Sequence, residues 1–468
     1  MHDAAALRPL LDRLAAEIDY VYDRVRELPV TPTVGVQALR TKLAAHFDLT
    51  QASSAQEVFD GATHFLREYS LHVTHPRYFG LFNPAVLPST IVADALVALY
   101  NTQAGGWSHG PAACEMERLV LRYLAESLGF VPDEISAHFT SGGNEANHTA
   151  VVAALAHNFP AWATRGMRAL PAQPTIYVSS ESHHSFEKVV RSTGLGTDAL
   201  RHAPVDDALR LRGAQAAAAI ERDIAAGLHP LMLVATVGTT GGGAIDAIEE
   251  LADVARQFRL WFHVDAAWGG GAALIPRLRP LLAGVERADS LTWDAHKWLN
   301  VPLGAGMFFT RHASALSRAF GVDAGYIPRS ETGAIDPYKT SMQWSRRFIG
   351  LKVLFALAEY GKDGMATLLD AQARLGDRLR ARLVGRGWTI ENDSLLPLVC
   401  FSHPSLGRDR VATADFVARL VARGRVWISD VWLPKREWVL RACITSFRAD
   451  ESDLEVLIEE LEEVRRSG

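Results

Sequence analysis

Residues 291–300 read LTWDAHKWLN, which sets Asp294, His296 and Lys297 within four positions of one another between Trp293 and Trp298. A desolvated lysine amine can act as a nucleophile or a covalent anchor. An imidazole can bind an anion or move a proton near neutral pH, and a neighbouring carboxylate adjusts both. Taken alone, a His-Lys pair is ordinary loop surface, because lysine is almost never fully buried. Four other stretches change that reading. TSGGNEAN at 140–147 follows a short strand-like run and opens a helix, so the backbone N–H groups of Gly142, Gly143 and Asn144 can face an anion, although a Gly-Gly turn also serves as a plain connection. SHHSFEK offers His183 or His184, which in isolation fit a capping or surface role. The glycines of TVGTTGGGAID allow close backbone approach or merely a tight turn. HVDAAWGGG ends an apolar strand with Asp265. A carboxylate there needs a cationic or hydrogen-bonding partner, with a helix cap or a structural salt bridge as the plain alternatives.

Together these residues supply what pyridoxal 5'-phosphate requires: a lysine to hold it covalently, a carboxylate for its ring nitrogen, a flat group over the ring and a cradle for its phosphate. Lys297, Asp265, His183 and the Gly142–Asn144 turn provide one of each, at the ends of successive strands.

The elements that must position them follow from hydrophobic patterning. Between about 135 and 310, short β-rich runs alternate with helical segments: PTIYVSS, LMLVATVG, LWFHVDAA, DSLTW and GAGMFFT, with helices such as AIEELADVARQFR between them. Strands apolar on both faces and separated by helices specify an α/β fold with a mainly parallel sheet, whose ligands bind beyond the carboxyl ends of the strands. Residues 1 to about 70 read as helices, with Leu10, Leu11, Leu14, Ala15, Ile18 and Val21 forming an apolar face that needs another surface, a partner subunit being one candidate. From about 360 the order is helix, strand LPLVCFS, helix, strand RVWISD, strand WVLRACITS and a last helix announced by Ser452 and Glu455 in capping-box spacing. The expected division is an N-terminal helical segment (1–75), a large domain (76–355) and a small α+β domain (356–468), since one core rarely serves 468 residues.

With 48% hydrophobic and 22% charged residues the chain can bury a large core, and a net charge of -5 points away from nucleic acid and anionic membranes toward a small-molecule ligand. Cys114, Cys400 and Cys443 lack metal-type spacing and, with no signal-like start or spanning apolar run, make the cytoplasm the expected compartment.

These residues resemble the group II pyridoxal-phosphate-dependent amino-acid decarboxylases, which include the aromatic-L-amino-acid, glutamate and 2,4-diaminobutyrate decarboxylases. The likeness runs from HPRYFG at residue 75 to LRACITSF near the C-terminus, with HVDAAW and DSLTWDAHKW as its most specific motifs. It implies fold type I architecture and an obligate homodimer. It also implies that Lys297 carries the cofactor, His296 lies on the phosphate side, Asp265 pairs with the ring nitrogen, Ala267 lies against the ring, and His183, rather than His184, covers the other face. Thr240 and Asp246 match residues near the cofactor and its supporting network, and Asp294 stands where several members have asparagine. Tyr326 matches a tyrosine of a mobile loop at the dimer interface that protonates the carbon from which CO2 has left. Arg441 matches an arginine that meets the substrate carboxylate in glutamate decarboxylases, while Arg346 and Arg347 in SRRF match structural positions.

The implied reaction is decarboxylation of an L-amino acid to its amine. Gln103 and Gly105 stand where aromatic decarboxylases carry large apolar residues, and Leu81 where glutamate decarboxylases carry glutamine. Phe79, Phe82 and Trp107 supply aromatic groups. The expectation leans to an aromatic or bulky substrate. Its alternatives are 2,4-diaminobutyrate, glutamate or aspartate, a decarboxylation-coupled aldehyde synthase, and a catalytically silent homologue.

Overall fold

The structure, a computed structural model, describes residues 7–32, 34–323 and 333–467. Its centre is a seven-stranded sheet formed by β1 (Ser136–Thr140), β2 (Pro174–Ser179), β3 (Leu200–Ala203), β4 (His229–Thr236), β5 (Trp261–Asp265), β6 (Ser290–Asp294) and β7 (Gly306–Thr310). The strand order is β1-β7-β6-β5-β4-β2-β3. β7 runs antiparallel to both neighbours, β1 and β6, and the other pairs are parallel. Five of these strands match the apolar runs, and β1 the short run before the Gly-Gly turn. β3 escaped the pattern, because LRHA is a four-residue edge strand whose Arg201 and His202 are not buried.

Successive side chains in a strand point to opposite faces, and both faces here are apolar. Tyr177, Leu233, Phe262, Val264 and Phe309 join one core, while Ile176, Val178, Met232, Trp261 and Phe308 join another. Burial on both sides explains why the runs read as continuously hydrophobic. The register then levels the strand ends: Thr236 pairs with Asp265, Asp265 with Thr292, and both Asp294 and Thr140 with Gly306.

A third core belongs to an antiparallel sheet of β8 (Thr389–Ile390), β9 (Leu398–Ser402), β10 (Ser429–Leu433) and β11 (Glu437–Cys443), in the order β10-β11-β9-β8. Two local expectations are corrected here. The strand expected over RVWISD begins only at Ser429, because Trp427 pairs instead with the 77–79 segment: its N–H donates to the Arg77 carbonyl, and its carbonyl accepts from Phe79. The last helix, Glu451–Arg466, is capped by Asp450 and not by Ser452, with Asp453 closing the box. Ser452 is itself a donor to Asp450, and Arg26 and Arg77 fix Asp453 by ion pairs at 2.9 and 3.0 Å. The helix Leu351–Gly385 runs through the boundary expected near 355 and turns at Gly361, whose φ of 61° favours glycine.

Along the first helix, Arg8–Arg24, Leu11 and Leu14 stay 48% and 38% exposed while Leu10, Ile18 and Val21 are half-buried, so the apolar face read from the sequence is only partly covered among the described residues. None of their helices is long and apolar enough to cross a membrane, and all three cysteines are buried and free.

Arg346 is fully buried against Glu117 at 2.6 Å, and Glu117 also accepts the N–H groups of Ile349 and Gly350. Arg346→Met leaves that carboxylate without its cation. We expect a loss of about 3–5 kcal/mol, the usual cost of breaking a buried pair, seen as a lower midpoint in urea denaturation followed by tryptophan fluorescence. A midpoint equal to the parent's would show that the pair contributes nothing.

Candidate active site

The apolar strands β5 and β6 each end on a carboxylate, and the turns beyond them hold most of the unusual residues. Asp265 closes β5 at 4% exposure, its Oδ1 accepting the Ala267 N–H at 3.0 Å and its Oδ2 accepting the Asn147 side-chain amide at 2.9 Å. Asp294 closes β6 at 1% exposure and starts the short helix Ala295–Trp298 that carries His296 and Lys297. Lys297 Nζ lies 2.9 Å from Asp294 Oδ2, whereas Asp294 Oδ1 is buried without a partner among the described residues. His296 accepts the Ala305 N–H on Nδ1 at 3.1 Å, and burial holds its imidazole pKa below the usual value.

The Gly-Gly turn is forced by this neighbourhood. A Cβ on Gly143, the first residue of the helix Gly143–Asn158, would sit 2.9 Å from Asp294 Oδ2 and 3.3 Å from Ala267 Cβ. Only glycine lets the helix N-terminus approach so closely, and that terminus carries the positive end of the helix dipole. Gly142 adjoins the His296 ring. His183 accepts the Ser185 N–H on Nδ1 at 3.1 Å. Burial lowers its pKa, an effect opposed by Asp265 and reinforced by Lys297.

One cavity is lined by Gly143, Asn144, His183, Thr240, Asp265, Ala267 and Lys297, together with Asn147, Thr236, Gly238 and Trp268. Beside it, Phe82 stacks on Trp268 with ring centroids 4.5 Å apart, and the Arg441 guanidinium lies 5.0 Å over Phe82. Arg441 donates to the carbonyls of Thr240 and Gly80 and is 3% exposed, with Nη2 unpartnered among the described residues. Asp246 accepts the N–H groups of Leu211 and Thr236 and so fixes the loop leaving β4; burial pushes its pKa up to about 7.

Gly142, Phe82, Asp294, His296 and Arg441 adjoin the lining of this cavity without being part of it, whereas Phe79, Gln103 and Trp107 lie elsewhere within one chain. Phe79 is packed in the core of the smaller sheet. Gln103 and Trp107 lie between the helices Pro88–Tyr100 and Pro111–Ser127. There Gln103 accepts the N–H groups of Gly105 and Arg346, and the Trp107 indole donates to Glu115. Tyr326 lies outside the described residues. The cavity and its surroundings also contain residues that the sequence reading did not single out: Asn147, Trp268 and, behind them, His263. Two signals could have found them: His263 and Asp265 share a strand face at period two, and Asn147 sits one helical turn after Gly143.

The donor set fits pyridoxal phosphate: a lysine amine facing the cavity, a carboxylate held by two N–H donors, an imidazole, and a helix N-terminus opened by glycine. Known proteins agree. A family model described as the pyridoxal-dependent decarboxylase conserved domain matches residues 40–403. Cysteine sulfinic acid decarboxylase of Homo sapiens is 31% identical over 79% of this chain and 76% of its own length. Aromatic-L-amino-acid decarboxylase of Bacillus atrophaeus is 28% identical over 93% and 91%. Histidine decarboxylase of Drosophila melanogaster is 29% identical, and the chain spans about half of its length, 53%. Among solved structures, mouse CSAD superposes with a TM-score of 0.90 at 26% identity over 99% of both chains. Oryza sativa TDC with PLP and tryptamine superposes with a TM-score of 0.91 at 25% identity over 100% of this chain and 99% of that one.

Asp294 sets a buried carboxylate beside the N-terminus of the helix Gly143–Asn158, the turn read from the sequence as an anion cradle. Asp294→Asn should therefore tighten binding of pyridoxine 5'-phosphate, which cannot bond covalently to lysine, by about tenfold or more, the scale of one partly screened charge pair. Fluorescence titration measures it, and unchanged or weaker affinity would show that Asp294 does not oppose the anion.

Proposed function

The chain belongs to the pyridoxal-dependent decarboxylases, and on that premise we propose that it converts an L-amino acid to its amine and CO2, as a homodimer in the cytoplasm. The observation that carries this reading is the convergence of Lys297, Asp265 and His183 on one cavity at the ends of three strands. When bound, pyridoxal phosphate supplies an electron sink for the charge left at Cα as CO2 departs. Lys297 is the residue that would hold it covalently. Asp265 would keep its ring nitrogen protonated, because a carboxylate fixed by two N–H donors presents a localised negative charge. His183 and Ala267 would confine the ring from its two faces, and His296, Thr240 and the Gly142–Asn144 turn would hold its phosphate end. Tyr326 would return a proton to Cα, and the helices before residue 75 would meet a second subunit through the open leucine face.

The Phe82–Trp268 stack gives the cavity wall an aromatic surface, which supports an aromatic or bulky substrate. A second reading, an acidic amino acid, is supported by the unpartnered Nη2 of Arg441 and by the likeness to cysteine sulfinic acid decarboxylase. In the first reading Arg441 meets the α-carboxylate or orders the wall; in the second it meets the side-chain acid. CO2 release from a panel of aromatic, acidic and diamino acids separates them.

Borohydride reduction of the purified protein followed by peptide mapping should place the pyridoxyl group on Lys297, and Lys297→Ala should lose both the adduct and nearly all CO2 release. An adduct on another lysine would overturn the assignment. No turnover on any amino acid would favour a silent homologue.

Tyr326→Phe should lower amine formation by about 10²-fold or more, the worth of a positioned general acid, while oxygen uptake per CO2 rises. Mixing it with Lys297→Ala protein should restore part of the activity if the tyrosine acts across a dimer. Activity of the variant equal to the parent's, or oxygen uptake by the parent in proportion to CO2, would replace this role with the aldehyde-forming alternative or remove it.

A further inference from the structure

Behind Asp265 lies a line of buried polar groups that the residues facing the cavity do not account for. The indole Nε1 of Trp261 donates to Ser290 Oγ at 2.8 Å, and Ser290 Oγ lies 2.8 Å from His263 Nδ1. His263 Nε2 lies 3.1 Å from Asn147 Oδ1, which also accepts the Thr292 hydroxyl at 2.8 Å. Asn147 Nδ2 then donates to Asp265 Oδ2 at 2.9 Å and to Ser185 Oγ at 3.2 Å. Asn147, His263, Ser290 and Thr292 are all at most 1% exposed.

The Asp265 carboxylate fixes the direction of the whole line. A carboxylate oxygen accepts, so Asn147 turns Nδ2 to Asp265 and Oδ1 to His263; that amide oxygen can only accept, so His263 Nε2 donates and Nδ1 is left to accept the Ser290 hydroxyl. The imidazole is neutral, because burial pushes its pKa down to about 4. With Nδ1 accepting, its one proton sits on Nε2 and points at Asn147 Oδ1. Two donors on Oδ1 hold the Asn147 amide in that orientation, with its N–H aimed at Asp265. A half-satisfied buried network is costly, whereas a fully satisfied one holds its members rigid.

We propose that Asn147 and His263 are positioning residues for the reaction, which lock the Asp265 carboxylate in the one orientation that serves the cofactor's ring nitrogen. No proton moves along the line. Its function is to keep Oδ2 engaged from behind and to prevent the carboxylate from rotating away or being paired by a water. The inference rests on the proposed role of Asp265, and its test is read on the bound cofactor, so that it stays separable from the substrate question.

The experiment uses holoenzyme loaded with pyridoxal phosphate carrying ¹⁵N in its ring, the ring-nitrogen chemical shift reporting protonation at a given pH. His263→Phe and Asn147→Leu should each move that signal toward the unprotonated form. They should also lower kcat roughly 10- to 100-fold, the worth of a hydrogen bond to a charged acceptor, with KM little changed. His263→Gln, whose amide can still donate to Asn147, should recover most of both. In the Asn147→Leu background His263→Phe should add nothing further. Ser290→Ala and Thr292→Val, smaller changes along the same line, give the same reading if the larger ones fail to fold. A ring-nitrogen signal unchanged in all variants overturns the proposal even where activity falls, since that is loss of packing alone. A parent with normal ring-nitrogen protonation but no decarboxylation would sink the proposed function and leave this inference standing.

Discussion

An ionised carboxylate at the inner end of a doubly covered sheet is the costly feature around which the rest of this molecule is arranged. Removing such a group from water is unfavourable by several kcal/mol unless donors replace the lost hydration. Asp265 has two, one from its own turn and one from Asn147 on the helix Gly143–Asn158. That helix can deliver Asn147 only if its first turn comes close to Ala267 and Asp294, which in turn demands glycine at 143. The register of β4, β5 and β6 brings Thr236, Asp265 and Thr292 to one level, so a strand slipped by one residue would send each side chain to the opposite core and scatter the set. Site and sheet are therefore specified by the same contacts.

The smaller sheet is tied to this centre by a shared core, which Leu398, Leu433, Val439 and Cys443 enter, and by directional polar groups. Trp298, next to Lys297, donates through its indole to Gln372, Gln372 to Asn300, and Asn300 to the Thr445 carbonyl beyond β11. Arg441 makes the second tie by holding the Thr240 loop. Each is a directional bond between buried groups, so the two parts have one preferred mutual arrangement in the single chain.

Which of this could be read from residues alone follows from how local each signal is. Asp265 and Lys297 stand out because each interrupts or directly follows a run that is otherwise apolar, and a charged side chain in such a place needs a reason. The strands of the large sheet are legible for the same cause, except β3, which is too short and too polar at its edge; in the smaller sheet the two-residue β8 leaves no pattern at all. His263 was silent, since its meaning depends on Asn147, 116 residues away. The cap of the last helix was misread between two serviceable acids and a serine three positions apart, a choice decided by Arg26 and Arg77 from the opposite end of the chain. RVWISD has strand-like composition throughout, yet its first half finds its partner at 77–79, where no periodicity announces it. Gln103 and Trp107 illustrate a different limit: the chain folds them against its own loops, away from Lys297.

The pairing of β1 with β7 has a consequence for how the protein is made. These neighbours, joined from Ser136 to Thr310, are separated in the sequence by all five other strands of the sheet. At about 5–20 residues per second of synthesis, β1 waits on the order of ten seconds or more before β7, its one partner strand among the described residues, leaves the ribosome. During that interval its backbone N–H and C=O groups on the side of β7 stay unpaired, the kind of template on which nascent chains associate wrongly. Because Thr140 pairs with Gly306 and the Gly142 turn packs on it, the corner between β1 and the helix Gly143–Asn158 is among the last parts to assemble.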